Sequence, residues 1–165
     1  MLKAIQIAEF FLSLDDSKEL FNKNLIERNG RTFYEGNARL NKYLHLAQNI
    51  FIAKTGAPLI EDSFYAYDNG GIVPSVQENY AVLLSRNTQH NDIPEDVKDF
   101  LLRFYIAFQN ASIDELIELS HEDSEWEKKH AFYRKQDQKM DSLAHIDEYR
   151  KQYADIVTVL DRMAI

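Results

Sequence analysis

From Asn37 onward the chain places Leu40, Tyr43, Leu44, Leu46, Ala47, Ile50, Phe51 and Ile52 in close succession. At about 3.6 residues per turn these side chains surround most of a helix axis instead of forming one stripe. A helix that is apolar on most sides must be packed on most sides, so this segment is predicted to be the central element of the fold. Gly56 then supplies a residue that can take the left-handed backbone ending a helix. After it, Phe64, Tyr65 and Tyr67 favour extended structure, and Asp68-Asn69-Gly70-Gly71 permits the positive φ of a tight turn. One small hairpin is therefore predicted within Leu59 to Val73, as the only sheet. Pro74 presets φ for the first turn of a helix running to about Ser85.

The rest of the chain reads as helix. Ala4, Ile5, Ala8, Phe11 and Leu12 give a first amphipathic helix that should end before Asp15-Asp16-Ser17. Residues 15 to 36 are mixed: Leu20, Phe21, Leu25 and Ile26 suggest helical turns, while Asn29-Gly30 and Thr32-Phe33-Tyr34 suggest a turn and an extended piece. Asp92 and Glu95 have capping-box spacing before a stripe of Val97, Phe100, Leu101, Phe104 and Phe108, and Ser112 with Glu115 repeats that logic ahead of Ile113, Leu116 and Ile117. Ser120 to Tyr133 should form another helix. The pattern from Ile146 to Met163 keeps helical spacing and is predicted to be the longest regular element. A chain of 165 residues with 45% hydrophobic content and no Pro/Gly-rich linker suits one core. The expectation is a mainly α, single compact multi-helix domain over residues 1–165 with a small β-hairpin.

Charge and cysteine content narrow the function classes. A formal net charge of -8 disfavours direct nucleic-acid binding, which needs clustered Lys and Arg, and favours association with a basic partner. Zero cysteines remove thiolate ligands and cysteine nucleophiles and fit a reducing compartment, so a cytoplasmic location is expected. The first residues have one lysine, and Gln6 and Glu9 interrupt their apolar stretch, a poor match to a secretory signal. No run approaches the roughly 20 apolar residues that span a bilayer.

The order of helix, glycine stop, aromatic strand, glycine turn and proline-opened helix resembles the Panacea domain, a family found in antitoxins and phage-associated proteins of bacteria. The residues carrying the resemblance are Leu40 to Gln48 with Lys42 and Tyr43, Gly56-Ala57-Pro58-Leu59, Phe64 to Tyr67, Gly71-Ile72-Val73-Pro74, and His121-Glu122-Asp123-Ser124-Glu125-Trp126. It extends over about Ala8 to Trp126 with gaps. Ile72 stands where the family usually has proline, and the 14 to 36 region looks like an insertion. The resemblance implies structural signature positions at Lys42, Tyr43, Gly56, Pro58, Gly71 and Trp126, with no catalytic role attached to His121 or Glu122.

No constellation in the sequence amounts to a catalytic or metal signature. His121 and His130 are about two and a half turns apart and cannot chelate one ion from a continuous helix. Asp114, Glu115, Glu118, Glu122, Asp123, Glu125 and Glu127 run without an intervening Lys or Arg, which reads as a solvated helix face or a docking patch for a basic protein. Asp68 to Gly71 lacks the lysine and spacing of a phosphate loop. Lys42, Tyr43 and His45 read as polar residues at the edge of a core.

The resemblance, together with the absence of a catalytic set, implies a non-enzymatic antitoxin-like protein that binds and neutralises a protein toxin, which the net charge suggests is basic, without cofactor, metal, nucleic acid or membrane. Two alternatives stand beside it: a phage-associated regulatory or adaptor protein, and a small hydrolytic enzyme that would need His121 or His45 beside two buried carboxylates in a cleft. The partner surface is expected to combine Tyr67, Ile72, Val73 and Pro74 as apolar centre with His121, Glu122 and Glu125 at its rim. Homo-oligomerisation is left open by the sequence.

Overall fold

The computed structural model describes residues 1–86 and 92–165. Helix α2 (Glu35–Thr55) is the axis of the structure, and residues on every side of it are buried. Most of its apolar residues, and with them the polar Arg39, Asn41, Lys42, His45, Gln48 and Asn49, are buried, as α1 (Ala4–Ser13), α5 (Glu95–Phe108), α6 (Ile113–His121), α8 (Ile146–Gln152) and α9 (Ala154–Arg162) pack around the helix or on one another. Tyr43 holds one side together. Its ring meets those of Phe11 (5.4 Å), Phe21 (5.6 Å) and Phe104 (5.3 Å) edge-on, and its hydroxyl donates to the Phe108 carbonyl (3.0 Å). Each such aromatic pair adds about 1 kcal/mol beyond burial itself.

Gly56 ends α2 at φ 76°, with its N–H returned to the Ile52 carbonyl. Gln48 of α2 then receives the next segment: its carbonyl oxygen accepts from the N–H of Leu59 and of Ile60, and its amide donates to the Ile60 carbonyl. The expected hairpin follows as β3 (Tyr65–Tyr67) and β4 (Gly70–Ile72), antiparallel, with Tyr67 opposite Gly70. Short helices α3 (Pro74–Glu78) and α4 (Tyr80–Ser85) fill the span predicted for one helix, with Pro74 in the opening turn and a break at Asn79.

Several expectations need correction. A second antiparallel hairpin, β1 (Leu25–Arg28) and β2 (Arg31–Tyr34), forms a separate two-stranded sheet. Its turn residues Asn29 and Gly30 both have positive φ, the geometry that suits the right-handed twist of paired strands. Asp92 does not cap α5; Pro94 occupies the cap position, and Asp92 instead accepts from the Gln6 side chain. The C-terminal pattern is two short helices broken at Tyr153, so α2 is the longest element. The helix expected over Ser120 to Tyr133 is divided as well. Ser120 and His121 close α6, and α7 (Ser124–His130) begins after Asp123. The Ser112–Glu115 capping box is present in full at the start of α6. Among the described residues no helix is long and apolar enough to cross a membrane.

Candidate functional site

The β3–β4 hairpin lies flat on α2 because its second strand begins with two glycines. A Cβ at Gly70 would stand 2.5 Å from Ser120 Oγ and 3.0 Å from Lys42 Cε, on a backbone whose φ of +117° already resists a side chain. A Cβ at Gly71 would press on the His45 ring at 3.0 Å. That approach lets the Gly71 N–H donate to His45 Nδ1 (3.1 Å). Since Nδ1 accepts, the ring proton is on Nε2, where it is donated to Asp123 Oδ2 at 2.7 Å.

Asp123 is the hub of the interior. Although fully buried, it also accepts from Asn49 Nδ2 (2.9 Å), the Tyr149 hydroxyl and the Glu125 N–H (2.9 Å), the last being its helix cap on α7. Burial pushes its pKa up, but the hydrogen bonds from His45, Tyr149 and Asn49 prevail and hold it at about 2. Four donors thus tie α2, α7 and α8 to one carboxylate. Tyr149 and Tyr153 are held above the usual phenol range, chiefly by burial.

A second buried carboxylate stands two residues on. Glu125, 1% exposed, accepts from Lys129 Nζ (2.9 Å), His145 Nε2 (2.9 Å) and the Asp141 N–H. Burial raises its pKa, yet the Asp141 amide, Lys129 and His145 together keep it low. Burial likewise lowers that of His145, which Glu125 and Glu148 outweigh, leaving it raised.

The hairpin tip is gripped from α6 and α7. Trp126, 8% exposed, donates from Nε1 to the Tyr67 carbonyl (2.8 Å). Its ring is sandwiched between His121 (4.0 Å) and His130 (4.5 Å), nearly parallel to both. His121 donates to the Asp68 carbonyl (3.0 Å) and His130 to the Asp68 carboxylate (2.9 Å). The His130 hydrogen bond keeps Asp68 below the usual carboxylate range, and His121 is held below the usual imidazole range, first by burial. The two histidines are not on one continuous helix, because the chain turns at Glu122–Asp123, and both reach the same aspartate. Among the described residues no three His, Asp or Glu side chains are grouped to hold a metal ion.

Of the residues expected at a partner surface, Tyr67, Pro74 and His121 are partly exposed and Glu122 is exposed. Ile72, Val73 and Glu125 are buried, so they support that surface from below and do not form it. The acidic run divides in the same way. Asp114, Glu115, Glu118, Glu122 and Glu127 face solvent, whereas Asp123 and Glu125 turn inward to donors from α2, α8 and the segment before it. Lys42 and His45 lie within the core, and neither is at its edge. Of the other signature positions, Tyr43 centres the aromatic cluster, Gly56 caps α2 and Pro58 leads into the segment on Gln48. The sequence reading missed Asn49, Asp123, Tyr149 and His145 as a connected set; their contacts cross 74 to 78 residues from α2 to Asp123, and no local spacing announces them.

These elements coincide with a stretch that can be compared with known proteins. Neither curated proteins nor solved structures give a match. A family model, described as antitoxin SocA-like, Panacea domain, matches residues 40–127. That span begins inside α2 and ends just past Trp126, taking in the hairpin, its two glycines and the Asp123 hub, but not the region from Ala8 to residue 39. With more than half of its length covered, the chain belongs to the SocA-like antitoxin family defined by the Panacea domain.

Proposed function

We propose that this protein is an antitoxin that neutralises a protein toxin by binding it, in a bacterial or phage toxin–antitoxin system, without transforming it chemically. The family match over residues 40–127 carries the reading. The binding surface we assign is the α6–α7 face with the hairpin tip, which offers the partly exposed Tyr67 and Pro74 together with the exposed carboxylates of Glu118, Glu122 and Glu127 along the two helices. With a net charge of -8 behind it, that face suits a basic partner.

The interior supports a binding role over a catalytic one. His45 and Asp123 form the histidine–carboxylate pair that a hydrolase would use, but His45 is 1% exposed and both of its ring nitrogens are engaged by the protein. It has no lone pair for a substrate. Co-expression with the product of the neighbouring reading frame tests the proposal: growth should be restored and a stable complex recovered. A neighbour that is harmless alone, or that stays toxic while this protein is abundant and folded, would remove the reading.

A further inference from the structure

Between the two hairpins and the N-terminal half of α2 lies a cavity of about 180 Å³. It is close to the size that holds one benzene-sized group, about 150 Å³. Phe33 and Ile72 give it apolar wall, and Asn41, Lys42 and Asn69 give it polar wall. Those three residues share a condition found also at Arg39, Asn49 and Ser75, which do not line the cavity. Lys42 Nζ is buried with no hydrogen-bond partner, and so are Asn41 Oδ1 and Asn69 Oδ1. Asn41 spends its amide hydrogens on Asn37 and leaves its oxygen unmatched. Asp68 and Arg31 also line the cavity, but their charges are turned on one another, the Asp68 carboxylate being held by His130 and Arg31.

A buried ammonium without an anion is costly, and so is a buried carbonyl oxygen without a donor. The same close packing that makes Gly70 obligatory holds the Lys42 stem in place, since a side chain at Gly70 would strike Lys42 Cε. We propose that this cavity binds an α-carboxylate bearing a neighbouring N–H, as found in a free amino acid or at the C-terminus of a polypeptide. The carboxylate answers Lys42, the N–H answers Asn41 or Asn69, and a small aliphatic side chain occupies the wall formed by Phe33 and Ile72. A phosphate fits poorly, because its additional charged oxygens would meet the two amide oxygens and the Asp68 carboxylate, and Arg31, the other cation of the lining, is paired with Asp68. Burial also lowers the Lys42 pKa to about 7, consistent with a site whose counter-charge comes from outside the chain.

This inference does not depend on the antitoxin reading, and it is tested on this chain alone. The ¹⁵N-labelled protein is titrated with N-acetylvaline, N-acetylvalinamide, valine and the peptide Gly-Gly-Val, following the Asn41 and Asn69 side-chain amides and the Gly70 and Gly71 backbone signals. N-acetylvaline should shift them saturably, with the amide probe weaker by about tenfold or more. Lys42→Met should lose the acid's advantage, and Asn69→Ala, a change at the hairpin turn, should weaken binding without unfolding the core. Binding of valine but not Gly-Gly-Val assigns the site to free amino acids. Binding of Gly-Gly-Val assigns it to a chain terminus. Equal binding of acid and amide, or no saturable shift with any probe, would overturn the proposal.

Discussion

Two polar clusters flank adjacent turns of α2, and they have been treated in opposite ways. Around His45 and Asn49 the donors converge on Asp123, whose carboxylate takes up hydrogen bonds from α2, α7 and α8. Around Lys42 and Asn41 the polar atoms are equally buried but unmatched. A low dielectric strengthens satisfied hydrogen bonds and penalises unmatched groups, so the first cluster, in which only Asn49 Oδ1 lacks a partner, holds the fold together, and the second, whose cation is itself unmatched, costs it stability. Burial alone therefore does not say what a polar residue contributes. Its partners decide that.

The largest expected effect comes from breaking the satisfied cluster. Asp123→Ala leaves His45 Nε2 and the Tyr149 hydroxyl without an acceptor in a dry interior and takes from Asn49 one of its two, the Tyr153 hydroxyl remaining, and should cost about 4 kcal/mol in chemical denaturation. A loss below about 1 kcal/mol would mean that the network is not what unites these helices.

Next comes the indole that grips the hairpin tip. Trp126→Ala removes the ring stacked between His121 and His130 and the Nε1 bond to the hairpin, and should cost about 3 kcal/mol or more. An unchanged denaturation midpoint would show that the hairpin is held by Gly71 and His45 without it.

The unsatisfied cluster should respond with the opposite sign. Lys42→Met replaces a buried, unpaired cation with an apolar side chain of similar length and should stabilise the protein by about 2 kcal/mol near neutral pH. Because the folded value of about 7 lies below the ordinary 10.5, the unfolded chain binds the extra proton between those limits. The wild-type protein then gains stability as pH rises from about 7 to 10.5, and the advantage of the variant should shrink across that window. A constant difference between the two proteins would place the Lys42 charge in water.

Asp123 gives the acid counterpart. Its folded value of about 2 is below the ordinary 3.8, so the hub contributes stability that is present above pH 4 and lost as pH falls toward 2. The amount is about 2 kcal/mol. Urea denaturation at stepped pH should show this loss in the wild type and not in Asp123→Asn, whose amide does not titrate. Identical acid limbs in the two proteins would refute the assignment.

The difference between the clusters also explains what the sequence could disclose. Helix α2 was legible because apolar residues on every side admit few alternatives, and the β3–β4 hairpin was legible because aromatic residues precede a glycine turn. The β1–β2 hairpin carried its signal in Asn29-Gly30, but the apolar spacing of Leu20 to Ile26 competed with it. Nothing local marks the break at Tyr153, which has neither proline nor glycine beside it. The hub was hidden for a different reason. Asp123 and Glu125 sit among carboxylates that do face solvent, and only the turn after His121 swings these two inward. Lys42 looked like a core-edge lysine because its burial depends on Gly70, which the chain reaches only after closing the hairpin.

The smallest expected effects lie outside both clusters, on the face assigned to the partner, where the same contrast between central and peripheral groups recurs. Tyr67 is partly buried and its backbone is held by Trp126 through the carbonyl, so Tyr67→Ala should remove only the ring from the centre of the complex and speed its dissociation about tenfold. Glu122 is exposed at the end of α6, and its side chain belongs to neither interior network. Glu122→Lys should leave stability within about 0.5 kcal/mol of the wild type and act through the field instead. Its expected result is association slowed about threefold at low salt, with the difference fading as ionic strength shortens the screening distance. Stopped-flow binding at two salt concentrations measures both quantities. A salt-independent change, or one seen only in dissociation, would move Glu122 from the rim of the interface to its centre and require a different placement of the partner on the α6–α7 face.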